Sequence, residues 1–255
     1  MPVAVVTGAS RGIGKRLCVD LAAAGWDVVC AARSAAGSPG KLPGSVEETA
    51  ALVEAAGRRA LPIALDVGSE SSCAAMAEQV QREWGRCDLL VNNAALAPPR
   101  PALDDTIKRW RTAVDVNLNG PFYLSWHFGR RMRAAGAGRI VNVSSQAADL
   151  PEFGRASYTA TKRGLEGLTE ALGHDLKGSV AVNCIRIDFP IWTEGFDATL
   201  PDDFDTTGFE DPVVMSDALL WLVAQPLEVT ARILKLTEMR KAGWIRPATP
   251  YVRGG

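Results

Sequence analysis

The chain has 255 residues, of which 47% are hydrophobic, and a formal net charge of -1. This size and apolar content fit one domain over residues 1–255 with a large core. The balanced charge, with no basic run, argues against a nucleic acid or a membrane as partner, and two histidines are too few for a histidine-rich metal site, so no metal is expected.

The five cysteines are far apart in sequence and form no CxxC pair, which is typical of free thiols in a reducing compartment. The first residues carry no basic n-region and run straight into an apolar strand. No apolar stretch approaches the roughly 18 residues that span a bilayer. The sequence therefore predicts a cytoplasmic protein.

Short apolar runs alternate with segments of helical periodicity along the chain. The predicted strands are 3–6, 28–31, 60–65, 89–91, 139–143, 180–187 and 233–236. The predicted helices are 12–24, 46–56, 70–84, 104–117, 120–135, 157–176 and 213–224. This alternation is typical of βαβ units and predicts a Rossmann-type α/β fold, a doubly wound, mostly seven-stranded parallel sheet with helices on both faces.

A glycine-rich loop connects the first predicted strand to the first helix. Missing side chains there let the backbone turn sharply and approach a pyrophosphate, whose charge meets the amides of the helix N-terminus. The glycines can also serve a tight turn alone, but a strand before, a helix after and a second strand ending near residue 32 favour a dinucleotide site. The expected contacts are Gly8, Ser10, Arg11, Gly12, Ile13 and Gly14.

The end of the second strand indicates which dinucleotide is bound. An NAD site usually has a carboxylate there for the ribose hydroxyls, whereas this strand ends in Ala-Ala-Arg33-Ser34. Arg33 and Arg11 offer two guanidinium groups suited to a 2'-phosphate. The sequence therefore predicts NADP(H), with Ser34 beside it and Lys41 as a third cation, unless Lys41 is simply a solvated loop residue.

Polar and small residues close the next two strands. Asp66, followed by Val67, can accept a hydrogen bond from an adenine amino group, or it can be an ordinary helix N-cap. Asn93, Ala94 and Ala95 are small enough for the backbone to lie against a cofactor. Both strand ends are therefore expected at the nucleotide site.

Tyr158 and Lys162 are four residues apart on a predicted helix, so their side chains lie on one face. A tyrosine normally titrates near ~10, and a nearby positive charge lowers that value. Ser145, thirteen residues before Tyr158, can bind the oxygen of a carbonyl that the phenol protonates. These residues predict a proton-transfer site.

The acidic, aromatic segment 188–212 is typical of a lid over a substrate pocket, or else of a surface connection packed by its own aromatic residues. An apolar pocket next to a reacting carbonyl fits the small and aromatic residues near the predicted site. The expected pocket residues are Ala95, Leu96, Gln146, Ala147, Phe153, Phe189 and Trp192.

The sequence resembles the short-chain dehydrogenase/reductase family over nearly its whole length. The matching residues are Thr7-Gly8-x3-Gly12-Ile13-Gly14, Asp66-Val67, Asn92-Asn93-Ala94, Asn117, Ser144-Ser145 and Tyr158-x3-Lys162. The resemblance implies a tetrad in which Tyr158 is the acid/base and Ser145 orients the carbonyl. It further implies that Lys162 binds the nicotinamide ribose and that Asn117 holds a water in a proton relay.

The same resemblance implies cofactor contacts from Tyr158, Lys162, Ile191 and Thr193, and a homodimer or homotetramer formed through helices 120–135 and 157–176. The loop after the second strand is similar to a branch with hydroxysteroid-dehydrogenase-like proteins and citronellol-type dehydrogenases. The implied activity is NADP(H)-dependent hydride transfer between a carbonyl and a secondary alcohol on a lipophilic small molecule. The alternatives are a 3-oxoacyl thioester reductase and a non-catalytic NADP-binding regulator.

Two segments depart from the family pattern. Ile187-Asp-Phe-Pro190 stands where the family usually has Pro-Gly after the sixth strand. Lys235-Leu-Thr-Glu stands in place of Asp-Gly-Gly near the C-terminus. The path around the nicotinamide and the closure of the substrate pocket are therefore expected to differ from those of the family.

Overall fold

The computed structural model describes residues 1–35, 42–97, 99–198, 201 and 204–251, so Lys41 lies outside the described residues. Seven parallel strands form one sheet in the order β3-β2-β1-β4-β5-β6-β7. The strands are β1 Val3–Thr7, β2 Asp27–Ala32, β3 Ala60–Ala64, β4 Leu89–Asn92, β5 Arg139–Ser145, β6 Ala181–Ile187 and β7 Arg232–Lys235. The predicted fold class is confirmed.

The α-helices of the described residues are α1 Gly12–Ala23, α2 Val46–Ala55, α3 Glu70–Trp84, α4 Ile107–Val114, α5 Gly120–Ala135, α6 Ala156–Asp175, α7 Glu194–Asp197, α8 Val213–Val223 and α9 Leu236–Lys241. Side chains of β1 alternate between two cores: Ala4 and Val6 face the core that includes α1 and α8, and Val3 and Val5 face the core that includes α3 and α5. The sheet therefore has helices on both faces. None of the helices within the described ranges is long and apolar enough to cross a membrane.

The predicted helix 104–117 has different bounds in the structure. It begins at Ile107, because the Thr106 hydroxyl accepts a hydrogen bond from the Arg109 amide and caps the helix. It does not end at residue 117, because the π-helical turn Asp115–Asn119 joins α4 to α5. Asn117 therefore lies in a helical irregularity, a feature that is frequent at functional sites.

The last predicted strand, 233–236, is displaced by one residue, because the observed strand is Arg232–Lys235. Leu236 begins α9 instead, and the Asp188 carboxylate accepts hydrogen bonds from the backbone amide and hydroxyl of Thr237 in the first turn of that helix. Asp188 and Thr237 come from the two segments that depart from the family pattern. The two departing segments therefore contact each other, because one supplies the acceptor Asp188 and the other the donor Thr237 of these hydrogen bonds.

Candidate active site

The carboxyl ends of the parallel strands meet at one edge of the sheet, where a cavity of about 320 Å³ opens. Most residues predicted for the nucleotide site line this cavity. The lining residues among these are Gly8, Ser10, Arg11, Gly12, Ile13, Gly14, Arg33, Ser34, Val67, Asn93, Ala94, Ala95 and Thr193. Asp66, Ile191, Tyr158 and Lys162 are not among its lining residues.

The glycine loop is packed too tightly for side chains. A Cβ added at Gly14 would lie 2.2 Å from the Gly8 carbonyl oxygen and 2.7 Å from Nδ2 of Asn93. Gly8 has a φ of +68°, a conformation that side chains rarely adopt. The loop therefore needs glycine both for space and for backbone shape.

Thr7, which the sequence analysis did not select for a role, joins the ends of β1 and β4. Its buried hydroxyl accepts hydrogen bonds from the amides of Asn93 and Ala94, both at 3.0 Å, and donates to the Val91 carbonyl at 3.3 Å. The Asn93 side chain donates to the Thr7 carbonyl oxygen at 2.9 Å. A threonine directly before the first glycine is the sequence signal that could have pointed to this contact.

The two arginines predicted for a 2'-phosphate have different surroundings. Arg11 donates to the carbonyls of Leu42 and Pro43, both at 2.8 Å, and to the Ser34 hydroxyl at 3.2 Å. Arg33 is exposed and lines the cavity. Arg11 therefore organises the loop after β2, whereas Arg33 presents its charge to the cavity.

A carboxylate lies at the N-terminus of α1. Glu194 accepts a hydrogen bond from the Gly12 amide at 2.7 Å, and a Cβ added at Gly12 would lie 3.1 Å from the Thr193 side chain. Negative charge is favourable at this end of a helix. The segment that contains Thr193 and Glu194 thus contacts the glycine loop directly.

Asp66 does not cap the helix that follows it, so the alternative given for it is wrong. The cap of α3 is Ser69, whose hydroxyl accepts a hydrogen bond from the Ser72 amide. The Asp66 carboxylate is exposed and accepts from the Gly68 amide at 3.0 Å. Its contact with adenine stays a prediction.

Tyr158 and Lys162 lie in the first turns of α6, next to the end of β5. The Lys162 ammonium is 5.6 Å from the centroid of the Tyr158 ring and donates to the Val143 carbonyl at 2.6 Å. Lys162 is only 3% exposed, and the Arg155 guanidinium lies 5.9 Å from the same ring. The phenol therefore has two cations nearby, one of them buried.

Ser145 is the last residue of β5 and is half-buried. Its hydroxyl oxygen accepts a hydrogen bond from the Ala147 amide at 3.3 Å. The adjacent Ser144 is buried, and its hydroxyl donates to the Glu166 carboxylate at 2.7 Å. Of the two serines, Ser145 is therefore the more exposed, whereas Ser144 is bound to α6.

Asn117 is fully buried and connects three segments. Its Nδ2 donates to the Leu96 carbonyl at 2.8 Å and to the Thr161 hydroxyl at 3.2 Å, and its Oδ1 accepts from the Leu96 amide at 2.8 Å. Both hydrogens of the amide nitrogen are engaged. Any water that Asn117 holds therefore does not accept from this nitrogen.

The residues predicted for the substrate pocket do not all meet. Leu96 lines the cavity, while Gln146 and Ala147 form the 3-10 turn after Ser145. Trp192 stacks on Tyr251, with ring centroids 4.3 Å apart. These placements leave Leu96, Gln146 and Ala147 near the ends of β4 and β5, and Trp192 against the C-terminal segment.

Two aromatic residues lie elsewhere. Phe153 is 89% exposed, and Phe189 packs against the core below the sheet edge, with the Arg240 guanidinium 4.7 Å from its ring. The structure does not bring either ring to the cavity. Their contact with a substrate stays a prediction.

A charged network that sequence reasoning missed lies beside β5 and β6. Arg186 forms a two-pronged ion pair with Glu166, at 2.8 and 2.6 Å, and reaches Asp149 at 2.9 Å, which Lys235 also contacts. The pKa of the Asp149 carboxyl is lowered because Lys235 and Arg186 lie against it. Arg186 inside the predicted strand 180–187 was the sequence signal for this network, because a charged side chain buried on a central strand needs a partner of opposite charge.

Comparisons with known proteins give a consistent result. A family model described as short chain dehydrogenase matches residues 2–190. The chain is 32% identical over 260 residues to the 3-oxoacyl-acyl-carrier-protein reductase FabG of Pseudomonas aeruginosa, covering 99% of this chain and 96% of that protein. It is 29% identical to hydroxysteroid dehydrogenase-like protein 2 of Xenopus tropicalis over 96% of this chain, but spans only 59% of that relative.

The fold is also similar to that of a crystal structure described as an NAD(P)-dependent gluconate 5-dehydrogenase from Beutenbergia cavernae, which contains NADP at low occupancy. The TM-score is 0.82 at 30% identity, and the match covers 94% of this chain and 97% of that one. The likeness therefore extends beyond the segment that the family model matches.

Proposed function

The chain belongs to the short-chain dehydrogenase family, and we propose that it is an NADP(H)-dependent oxidoreductase that interconverts a carbonyl and a secondary alcohol on a lipophilic small molecule. The observation that carries this proposal is the Tyr158 ring beside the buried Lys162 ammonium, at the sheet edge where the glycine loop also lies. A buried cation next to a phenol is the arrangement that proton transfer at a carbonyl requires.

The residues present fit a dinucleotide with a 2'-phosphate. Gly8, Gly12 and Gly14 line the cavity without side chains, so a pyrophosphate can approach the backbone there. Arg33 is exposed at the end of β2, and none of the described residues that line this end of the cavity is acidic. These features support NADP(H) rather than NAD(H), and the similar Beutenbergia cavernae structure contains NADP.

When bound, NADP(H) supplies or accepts the hydride at the reacting carbon. The proton is handled by the chain itself: in reduction the Tyr158 hydroxyl donates its proton to the carbonyl oxygen and becomes the phenolate, and in oxidation the Tyr158 phenolate accepts the proton of the alcohol. Lys162 favours the phenolate through its charge. Ser145 orients the carbonyl oxygen by a hydrogen bond, and Asn117 fixes the Leu96 segment against α6 through Thr161.

We propose that residues 1–255 form one dinucleotide-binding domain and that 188–212 is the substrate lid within it. Thr193 and Gly195 line the cavity, and the stack of Trp192 on Tyr251 attaches the lid to the C-terminal segment. These contacts support the proposal that the segment covers the cavity.

A homodimer or homotetramer is also proposed. Phe122 and Trp126 on α5 are 43% and 47% exposed, which is more apolar surface than an isolated chain usually presents on one helix. Light scattering of the purified protein tests this proposal, and a monomeric mass would refute it.

The proposed activity is tested by following NADPH absorbance with a panel of lipophilic ketones and aldehydes. We expect carbonyl-dependent oxidation of NADPH, and a preference for NADPH over NADH. If NADPH binds but no carbonyl in a broad panel oxidises it, the chain is instead a non-catalytic NADP-binding regulator.

A 3-oxoacyl thioester reductase is the second candidate, favoured by the similarity to FabG over 99% of the chain. Coenzyme A and acyl-carrier-protein thioesters of 3-oxo acids distinguish the two candidates when compared with plain ketones of the same chain length. Higher kcat/KM for the plain ketones is expected, and higher kcat/KM for the thioesters would favour the second candidate.

A further inference from the structure

Three buried polar contacts hold one face of α6 against β5. Their helix residues are spaced by four and three positions, so they lie on one side of the helix. In order along α6, the contacts are Lys162 to the Val143 carbonyl at 2.6 Å, Glu166 to the Ser144 hydroxyl at 2.7 Å, and Thr169 to the Asn142 amide at 2.9 Å. The same face therefore sets the position of Tyr158 relative to the strand end that carries Ser145.

The middle contact differs from the last because it is charged. The side chains of Glu166 and Arg186 are each only 11% exposed and bind through two hydrogen bonds. Burying such a pair costs desolvation that a neutral contact avoids. Thr169 and Asn142 show that a neutral hydrogen bond can join α6 to β5 at this depth. The packing of α6 against β5 therefore does not by itself explain why the middle contact uses a buried charged pair.

Cys184 on β6 is buried, and burial together with the nearby Glu166 raises the pKa of its thiol to about 12. Lys162 and Arg186 act on the same thiol in the opposite direction. Glu166, Arg186 and Lys162 are all largely buried, so they share one poorly screened region next to the proposed proton-transfer site.

We propose that Glu166, balanced by Arg186, is a positioning residue for proton transfer: it holds the end of β5 through Ser144, and its charge sets how strongly Lys162 favours the phenolate of Tyr158. This inference rests on the proposed function, because it acts through the proposed tetrad. Glu166 lies one helical turn from Lys162 and about 12 Å along the helix from Tyr158.

The sign of each effect follows from the charges. Replacing Glu166 by glutamine removes a negative charge, so the phenolate forms at lower pH. Replacing Arg186 by glutamine removes a positive charge, so the phenolate forms at higher pH. Charges about 12 Å apart at a partly buried site shift such a midpoint by roughly 0.5 pH unit.

The other titratable groups near this face are the same in every variant, so their effect on the midpoint of the Tyr158 titration is common to all of them. On α6 and at its N-terminus they are Arg155, Lys162, Arg163, Glu170, His174 and Asp175, and on the elements packed against it they are Lys108, Arg109, Arg111, Asp115, Arg139, Asp149, Cys184, Arg232 and Lys235.

The test compares Glu166→Gln, Arg186→Gln and the double variant in a Tyr123→Phe/Tyr251→Phe background, in which Tyr158 is the last tyrosine. Phenolate absorbance against pH is recorded without substrate, and the pH–rate profile with substrate. For Glu166→Gln, we expect the pH midpoint of phenolate formation to be lower than in the parent by about 0.5 pH unit. For Arg186→Gln we expect it to be higher by a similar amount, and for the double variant to be near the parent value.

Thr169→Val is the matched control, because it removes the neutral contact next to Glu166 and leaves every charge in place. Its midpoint is expected to stay at the parent value. If Arg186→Gln does not fold, a shift in Glu166→Gln that the charge-balanced double variant reverses still supports the proposal. Shifts of the same sign in both single variants, no shift in Glu166→Gln, or an equal shift in Thr169→Val would overturn it.

Failure of the proposed function is recognised separately. A chain that turns over no carbonyl refutes the proposed activity, but the phenolate titration without substrate still reports whether the two charges act in opposite directions on Tyr158.

Discussion

The nucleotide end of the proposed site and its lid end are each stabilised by a different kind of contact. At the nucleotide end, backbone groups and small side chains meet: Thr7 joins β1 to Asn93, and Gly8 touches Gly14 with no room for a Cβ. At the lid end, long charged side chains cross between distant segments: Glu210 forms a two-pronged ion pair with Arg240, at 2.9 and 2.6 Å.

The two ends are therefore expected to tolerate different substitutions. The nucleotide end fails when atoms are added, because its contacts are already at van der Waals distance. The lid end fails when a charge is lost, because the remaining partner is left half-buried and unpaired. Substitutions at the two ends should therefore fail in different ways.

Gly14→Ala is expected to have the largest effect. Its Cβ would lie 2.2 Å from the Gly8 carbonyl oxygen, so the loop must move. We expect a loss of about 3 kcal/mol or more in unfolding free energy, or no folded protein, and loss of NADPH binding. Denaturant unfolding and NADPH titration measure both.

Gly167→Ala is the control for added volume. A Cβ there meets nothing within 4 Å, and Gly167 lies inside α6. We expect this variant to be about 0.5 to 1 kcal/mol more stable than the parent, since alanine favours the helix. Equal losses in both variants would contradict the packing argument.

Arg33→Asp tests the charge that faces the cavity. We expect KM for NADPH to rise by about 100-fold while KM for NADH stays level or falls, because a carboxylate repels a 2'-phosphate and accepts from ribose hydroxyls. Arg11→Ala is the comparison, because Arg11 is bound to the carbonyls of the loop after β2. A variant that keeps its preference for NADPH would refute the assignment of Arg33.

Glu210→Gln tests the lid end. Glu210 is buried, and its loss of charge leaves Arg240 without its partner. We expect a loss of about 1 to 3 kcal/mol in unfolding free energy and faster proteolysis within the lid. Asp205→Asn, a change in an exposed lid carboxylate, is the control and is expected to leave both unchanged.

Asp149→Asn is expected to have the smallest effect, visible only in the pH dependence of stability. The pKa of the exposed Asp149 carboxyl is lowered by Lys235 and Arg186, so its contribution to stability is present above the unfolded value of about 4 and is lost as pH falls through the folded value. Melting temperatures between about pH 6 and 3 should therefore fall less steeply in Asp149→Asn. An unchanged slope would show that Asp149 contributes nothing.

The comparison of the two ends also explains what the sequence could reveal. Apolar strand runs, the glycine loop and the spacing of Tyr158 and Lys162 are local patterns, and the seven-stranded sheet follows from them. The bounds of α4 were harder to predict from the sequence, because the π-helical turn Asp115–Asn119 continues the helical backbone past residue 117, where the helix was predicted to end.

The lid end could not be derived in the same way. Asp188 and Thr237 are 49 residues apart, and nothing local in either segment indicates that one accepts a hydrogen bond from the other. Glu166 and Arg186 are similarly joined only by the packing of α6 on β6. Contacts between distant charged residues therefore required the structure, whereas contacts within a strand-to-helix turn did not.

The most direct test of the account is NADPH oxidation by Tyr158→Phe with a carbonyl that the native protein reduces. We predict a loss of about 100-fold or more in kcat while NADPH still binds, since the proton donor is removed but the glycine loop and Arg33 are intact. Tyr123→Phe, on α5, is the matched control and is expected to keep full turnover. Native turnover in Tyr158→Phe would contradict the assignment of the phenol as acid and base.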